Sequence, residues 1–161
     1  MRRKEKEIEN QKILEELLGS APVCRLGLAP LPGAPGSEEA HMGFPFVVPV
    51  HFVHREGRIF IHSARAGRKI EMLRRNPRVC VEIDELLGLK PAEKACDYGT
   101  RFRSLIAFGR ARILEEAADK RRALELLMEK YAGRSFEISE RDIEKVAVVE
   151  IRVEKLTGKQ G

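Results

Sequence analysis

Tryptophan is missing altogether, and aromatic residues amount to only 6% of the chain. A surface that holds single strands by stacking bases on rings set among basic residues is therefore disfavoured. Cysteine is scarce: Cys24, Cys80 and Cys96 are odd in number and form no CxxC pair. They read as reduced thiols in a cytoplasmic protein, not as a disulfide framework. No apolar run approaches the roughly 20 residues of a membrane helix, and the charged N-terminus lacks the apolar core of a signal peptide. Internal repeats and low-complexity tracts are not found either.

The 161 residues fit one domain, 1–161, with 43% hydrophobic residues to build a core. The charged fraction of 34% lies above the usual quarter or so and implies a well-solvated surface. A net charge of +5 favours anionic partners: nucleic acid, acidic lipid or a phosphorylated small molecule.

Apolar residues at helical spacing, Ile8, Ile13, Leu14, Leu17 and Leu18, predict an N-terminal amphipathic helix over Arg3 to Leu18 (the 1–18 segment), stopped by Gly19. Val23 to Ala29 reads as a strand, and Leu28 to Gly43, rich in Pro, Gly and Ala, as an exposed loop. Phe44 to Val53 is β-branched and aromatic, with Pro45 and Pro49 placing it at an edge or bulge. A hairpin turn at Arg55-Glu56-Gly57 returns the chain along Arg58 to His62; a two-residue turn at Glu56-Gly57 sets His51 opposite His62, and a longer turn shifts the pairing by one but keeps the two neighbours. Ser63 to Gly67 is a tight loop, and Arg68 to Asn76 a helix stopped by Asn76-Pro77. Arg78 to Ile83 is a strand, Asp84 to Thr100 irregular, and Arg101 to Leu114 a strand bulged at Gly109. Ala117 to Tyr131 is a helix, a short helical piece begins at Ser139, and Val146 to Leu156 is the closing strand before a 157–161 tail. Six strands joined mostly by hairpins, without a βαβ rhythm, predict a mainly β fold: an antiparallel barrel with flanking helices.

The most informative stretch is His-Ser-Ala-Arg-Ala-Gly-Arg-Lys, His62 to Lys69. A helix N-terminus carries partial positive charge and favours acids in its first turn. Here Arg68 and Lys69 stand there, with Arg65 just before. An anion resolves the conflict, because free backbone N–H groups, Ser63 and the cations can converge on a phosphate. Gly67 permits close approach. The competing reading is a solvated loop.

Three stretches, "FPFVVPVHF", "RIFIHSARAGRKIEMLRRNPRVCVEID" and "CDYGTRFRSLIAFGRARIL", resemble the flavin-binding split-barrel proteins related to pyridoxamine 5'-phosphate oxidase, nearest the 5-nitroimidazole resistance branch. The resemblance spans Arg3 to Lys159. It implies a six-stranded antiparallel split barrel of Greek-key type, a homodimer, and flavin mononucleotide (FMN) at the subunit interface. Carried onto this chain, it implies that Val48, Pro49, Val50 and His51 run along the flavin ring. His62, Ser63 and Ala64 then meet the ring edge and phosphate, Arg68 and Lys69 bind the phosphate, and Arg103 and Ser104 reach the ring's polar edge from the partner subunit. The implied activity is a flavin-dependent oxidoreductase passing electrons to a small acceptor such as a nitro-aromatic compound, with no nucleic acid and no membrane as partner. Two departures stand out. The Leu28 to Gly43 loop is longer than the family's usual turn, and the chain stops soon after Lys159, short of the stretch that holds pyridoxamine phosphate in the oxidases proper.

His51 and His62 are the candidate proton suppliers. A metal site is disfavoured, since zinc needs three or four ligands and neither Cys24 nor His54 has reason to join the pair. Haem is the alternative cofactor, because some split-barrel relatives bind it through a histidine. A flavin- or haem-binding protein without turnover is the alternative function, and a nucleic-acid-binding barrel a more remote one. Cys24 and Cys80 read as small core residues, and Cys96 as a loop thiol.

Overall fold

The computed structural model describes residues 3–30 and 44–161. Most of the expected loop from Leu28 to Gly43 thus lies outside the described residues, while Leu28 itself closes a strand. The N-terminal segment is not one helix. It forms a 3-10 turn at Lys4–Lys6 and then α1 at Gln11–Ser20. The break arises because the chain between them pairs with the far end of the sheet: Glu7 bridges Lys159, and the Ile8 N–H donates to the Gly158 carbonyl at 3.0 Å. Asn10 restarts the helix, its side-chain oxygen accepting from the Lys12 N–H at 3.0 Å. Leu14, Leu17 and Leu18 of α1 are buried.

Among the described residues, β1 (Cys24–Leu28), β2 (Phe46–Val50), β3 (Phe52–Arg55), β4 (Arg58–Ala64), β5 (Arg78–Lys90), β6 (Gly99–Ile113) and β7 (Val146–Gln160) form one sheet. Its order is β2-β1-β5-β6-β7-β4-β3, and every pairing is antiparallel. The helices are α1, α2 (Arg68–Arg75), α3 (Ala117–Ala132) and α4 (Glu140–Lys145). The expected mainly β antiparallel architecture is therefore observed. Seven strands replace six because Phe44 to Val53 splits at His51 into β2 and β3.

That split organises the molecule. β2 and β3 are the two edges of the sheet, yet only His51 separates them. The sheet must curl until its edges meet, and the barrel is completed by the covalent chain instead of a ladder between β2 and β3. Pro49 lies on β2, opposite Arg25 of β1; on an edge strand its missing N–H is tolerated.

Three long strands exceed the sequence reading. The ladder between β5 and β6 runs on through Asp84↔Ser104 to Lys90↔Gly99, slipping at Leu86/Gly88, so Asp84 to Thr100 is mostly a hairpin arm, not irregular chain. β7 continues past Leu156: Lys159 pairs with Ser104 and Gln160 with Arg103, so the expected tail is strand. At Gly109 the register slips as expected, but the extra residue, Glu154, sits on β7. A side chain at Gly109 would collide with the Arg152 carbonyl. Glu56 and Gly57, both at positive φ (51° and 72°), form the two-residue turn of the β3–β4 hairpin.

The barrel interior is filled by Leu26, Phe52, Ile59, Ile61, Val81 and Ile151 with their neighbours, capped by α1. Outside, α3 covers a smaller cluster of Leu114, Ala123 and Val148. Tyr131, near the end of α3, reaches the crossing point. Its hydroxyl accepts from the Phe52 N–H at 2.8 Å and lies 3.0 Å and 2.9 Å from the Phe52 and Pro22 carbonyl oxygens. Its single proton serves one carbonyl at a time.

Replacing Tyr131 by Phe leaves the Phe52 backbone groups without this partner at a buried position. The expected loss is about 1–3 kcal/mol of unfolding free energy, read from urea denaturation. An unchanged midpoint would show that the hydroxyl does not pin the crossing.

Candidate functional site

The pairing Phe52↔Ile61 extends to set His51 beside His62, both exposed. The His51 ring rests against Tyr131, ring centres 4.8 Å apart. β4 carries Ser63 and Ala64 past His62, and the chain then turns into α2. Gly67 caps α2 at φ 113°, and no side chain caps the helix. Only glycine adopts that backbone conformation readily. The first turn opens with Arg68 and Lys69, as the sequence indicated, and also carries the acid Glu71.

Their side chains differ in what they do. The Arg68 guanidinium stacks over the Phe46 ring at 4.6 Å from its centre, which ties the start of α2 to β2. Lys69 is half-buried and forms no ion pair among the described residues. Loss of water around it lowers its affinity for a proton. His62 is pushed below its usual 6.5 by partial burial first, then by His51 and the charge of Lys69. One imidazole pair, one desolvated ammonium and one uncapped helix start thus share a corner beside β2 with Val48, Pro49 and Val50. Such a corner can receive an oxyanion. Arg65 does not join it: its guanidinium donates to the Glu144 carbonyl at 3.0 Å, satisfying the end of α4.

Arg103 and Ser104 lie elsewhere. Ser63 pairs with Ala147 of β7, whereas Ser104 pairs with Lys159, twelve residues further along the same strand, roughly 40 Å of extended chain. Arg103 sits 3.8 Å from Glu16 of α1. A single chain therefore holds two separate groups of the expected residues, one at each end of the sheet. Between them lies the outer face of β2, β1, β5 and β6. It exposes Val47 (63%) and Phe108 (48%) and carries shallow grooves of about 350 Å³ beside Cys80 and 310 Å³ beside Ser104.

Two residues near the corner gave little signal in the sequence. Tyr131 looked like the end of a packing helix, and only its position beyond the Leu and Met stripe marks it. Lys130 donates to the Leu18 carbonyl at 3.2 Å, its ammonium lies 3.6 Å from the Phe52 ring centre, and burial lowers its pKa to about 8. Beside it Cys24 is fully buried and its thiol is pushed up to about 12, an inert core residue as expected. Cys80 is half-buried with its pKa raised by burial, and Cys96 is exposed. No helix among the described residues is long and apolar enough to cross a membrane.

The family model for pyridoxamine 5'-phosphate oxidase matches residues 10–160. A solved structure from Bacteroides thetaiotaomicron, provisionally assigned to 5-nitroimidazole antibiotic resistance, is 31% identical, with 96% of this chain and 86% of that one covered and a TM-score of 0.79. A flavocytochrome from Azotobacter vinelandii is 23% identical, with coverage of 100% and 72% and a TM-score of 0.81. An FAD- and haem-binding protein from Mycobacterium smegmatis is 17% identical, with coverage of 97% and 73% and a TM-score of 0.80. At those two lower identities the likeness shows the fold. No curated protein matches the sequence.

Because His54 and His62 are both held below 6.5, chiefly by burial, the unfolded chain binds more protons than the folded one just below that pH. Stability then rises with pH through this window and is lost on acidification. Urea midpoints measured from neutrality downward should begin to fall as the pH passes 6.5. His62→Asn should flatten that limb, and a limb of the same slope in the variant would place the effect elsewhere.

Proposed function

This chain belongs to the pyridoxamine 5'-phosphate oxidase family, and we propose that it binds FMN between two copies of itself and serves as an oxidoreductase. The observation that carries this reading is the corner at the start of α2. There Lys69 is half-buried without an acidic partner among the described residues, beside an uncapped helix N-terminus. A phosphate monoester supplies what both features call for. Ser63 and Arg68 flank the same position, and Val48 to His51 offer an exposed edge strand along which a flat ring system can lie.

The second group, Arg103 and Ser104, lies too far along the sheet to meet this corner within one chain. In a two-fold dimer the same patch faces itself reversed, so one copy's Arg103 meets the other's Lys69. The exposed apolar face with Val47, Ile106 and Phe108 supports such a contact.

A bound flavin would supply the electron or hydride transfer. The residues supply the setting. Arg103 places positive charge where negative charge gathers on the ring's polar edge. His62, whose affinity for a proton is lowered by partial burial and then by His51 and Lys69, stands beside His51, and the two are the candidate proton suppliers. A small acceptor, such as a nitro-aromatic compound, fits the relative at 31% identity. A second reading rests on two structural neighbours, one named a flavocytochrome and the other an FAD- and haem-binding protein: an exposed His51 or His62 could ligate haem iron, with or without turnover. We assign the protein to the cytoplasm on its cysteine usage.

The spectrum of the freshly purified protein separates flavin from haem. Lys69→Ala and Arg103→Ala should each weaken FMN binding by at least about tenfold, about 1.4 kcal/mol. Mixing the two variants after unfolding tests the shared site. Mixed dimers keep one intact site if the groups act across the interface, so about a quarter of the flavin capacity should return under two-fold symmetry. No recovery would mean that each chain binds alone, and full binding by Lys69→Ala would remove the phosphate assignment.

A further inference from the structure

On the outer face of β6, β7, β4 and β3 four arginines stand in one row. Arg110 pairs with Arg152, Arg152 with Arg58, and Arg58 with Arg55. All four are exposed. Directly opposite residues on antiparallel strands sit about 5 Å apart, and like charges there destabilise the sheet. Only part of this cost is relieved from within. Arg110 pairs with Glu154 at 2.9 Å, and Arg58 with Glu150 at 3.3 Å. Arg152, flanked by arginines on both sides, makes no ion pair among the described residues.

Glu150 is the only polar residue among those described that is buried, at 7% exposure. Its carboxylate accepts from Arg112 Nε at 2.7 Å as well as from Arg58 Nη1, and these two guanidiniums hold it ionised. One carboxylate thus fixes two cations and neutralises one of them. Each guanidinium has five N–H donors, most of them left over. These donors border a pocket of about 200 Å³ between the sheet and α3, with Phe60, Leu114 and Ala123 as its floor, Arg122 on α3 and Arg55 beside Arg58 on β3. Glu56 and Asp119 are the other acids there, and Arg55 is matched by Glu129 at 3.7 Å, so the four guanidiniums of the lining meet four carboxylates and Arg152 beside them is the surplus cation.

We propose that this pocket is a second anion site, specific for a compact polyphosphate. It lies five residues along β4 from Ser63, roughly 16 Å of strand, and is separate from the Lys69 corner. A short chain of phosphoryl groups matches cations spaced about 5 Å across the strands and about 7 Å along them. Single-stranded nucleic acid fits less well, because the one aromatic in the lining, Phe60, lies on the floor and offers no platform for bases.

The probe is sodium triphosphate, titrated calorimetrically into the full chain. Saturable binding is expected, weakened at least tenfold by Arg152→Gln or Arg122→Gln and tightened severalfold by Asp119→Asn. Lys69→Ala should change it by less than twofold. ATP binding as tightly as triphosphate places recognition in the phosphates, and tighter binding adds the nucleoside. The proposal is overturned if the wild-type chain shows no saturable binding, if Arg122→Gln and Arg152→Gln leave it unchanged, or if Lys69→Ala abolishes it.

Discussion

One residue holds the two edges of this sheet together. Because β2 and β3 are consecutive in sequence yet terminal in the sheet order, the His51 peptide unit forces seven strands to curl. Everything near the candidate site inherits its position from that closure. His51 cannot join a ladder, so it projects at the seam; the register of β3 on β4 then brings His62 beside it. The chain at the seam gives up regular pairing, and Tyr131 replaces it with hydrogen bonds to Phe52. A tyrosine from a helix that otherwise only packs thus becomes part of the site's frame.

The same closure explains why the cations at the start of α2 matter. An exposed ion pair contributes about 0–1 kcal/mol, so surface lysines and arginines carry little information by themselves. Lys69 is different because it is half-buried. An ammonium gives up hydration there and gains no carboxylate among the described residues. Arg68, held against Phe46, shows a cheaper way to keep a cation at that end: a flat guanidinium on a ring face. The two neighbours therefore separate into a positioning contact between α2 and β2 and a charge directed at the corner.

Much of this was legible in the sequence. The Glu56-Gly57 turn, the helix stop at Asn76-Pro77 and the slip at Gly109 are local, and local chemistry dictates them. The anomaly at Arg68-Lys69 was visible because helix polarity is a local property too. The errors are all non-local. Phe44 to Val53 reads as one strand because its residues favour extended backbone throughout, and only the sheet decides that its halves belong to opposite edges. Asp84 to Thr100 looks irregular in isolation, and the expected 157–161 tail looks too short for structure; pairing with β6 makes strand of most of both. The break at Glu7 and Ile8 within an apparent helix likewise comes from β7. Arg65 was grouped with the anion site by sequence proximity, but tertiary packing gave it the carbonyl of Glu144.

Strand length, finally, connects fold to function. β5, β6 and β7 run 13, 15 and 15 residues, far beyond the five or six typical of globular sheets. Such length sets the β7 partners of Ser63 and Ser104 twelve residues apart, roughly 40 Å of extended chain. It also leaves an outer face on which Val47 and Phe108 are exposed among the described residues. A chain that needed both groups on one ligand, yet acted alone, would gain nothing from either feature. In the dimer proposed above, two copies set face to face would use both at once: the exposed apolar face would supply the contact, and the long strands would bring each distal arginine to the other copy's helix start. On that reading, cofactor binding and association are one equilibrium: ligand that bridges the copies stabilises the pair, and dilution that separates them releases it.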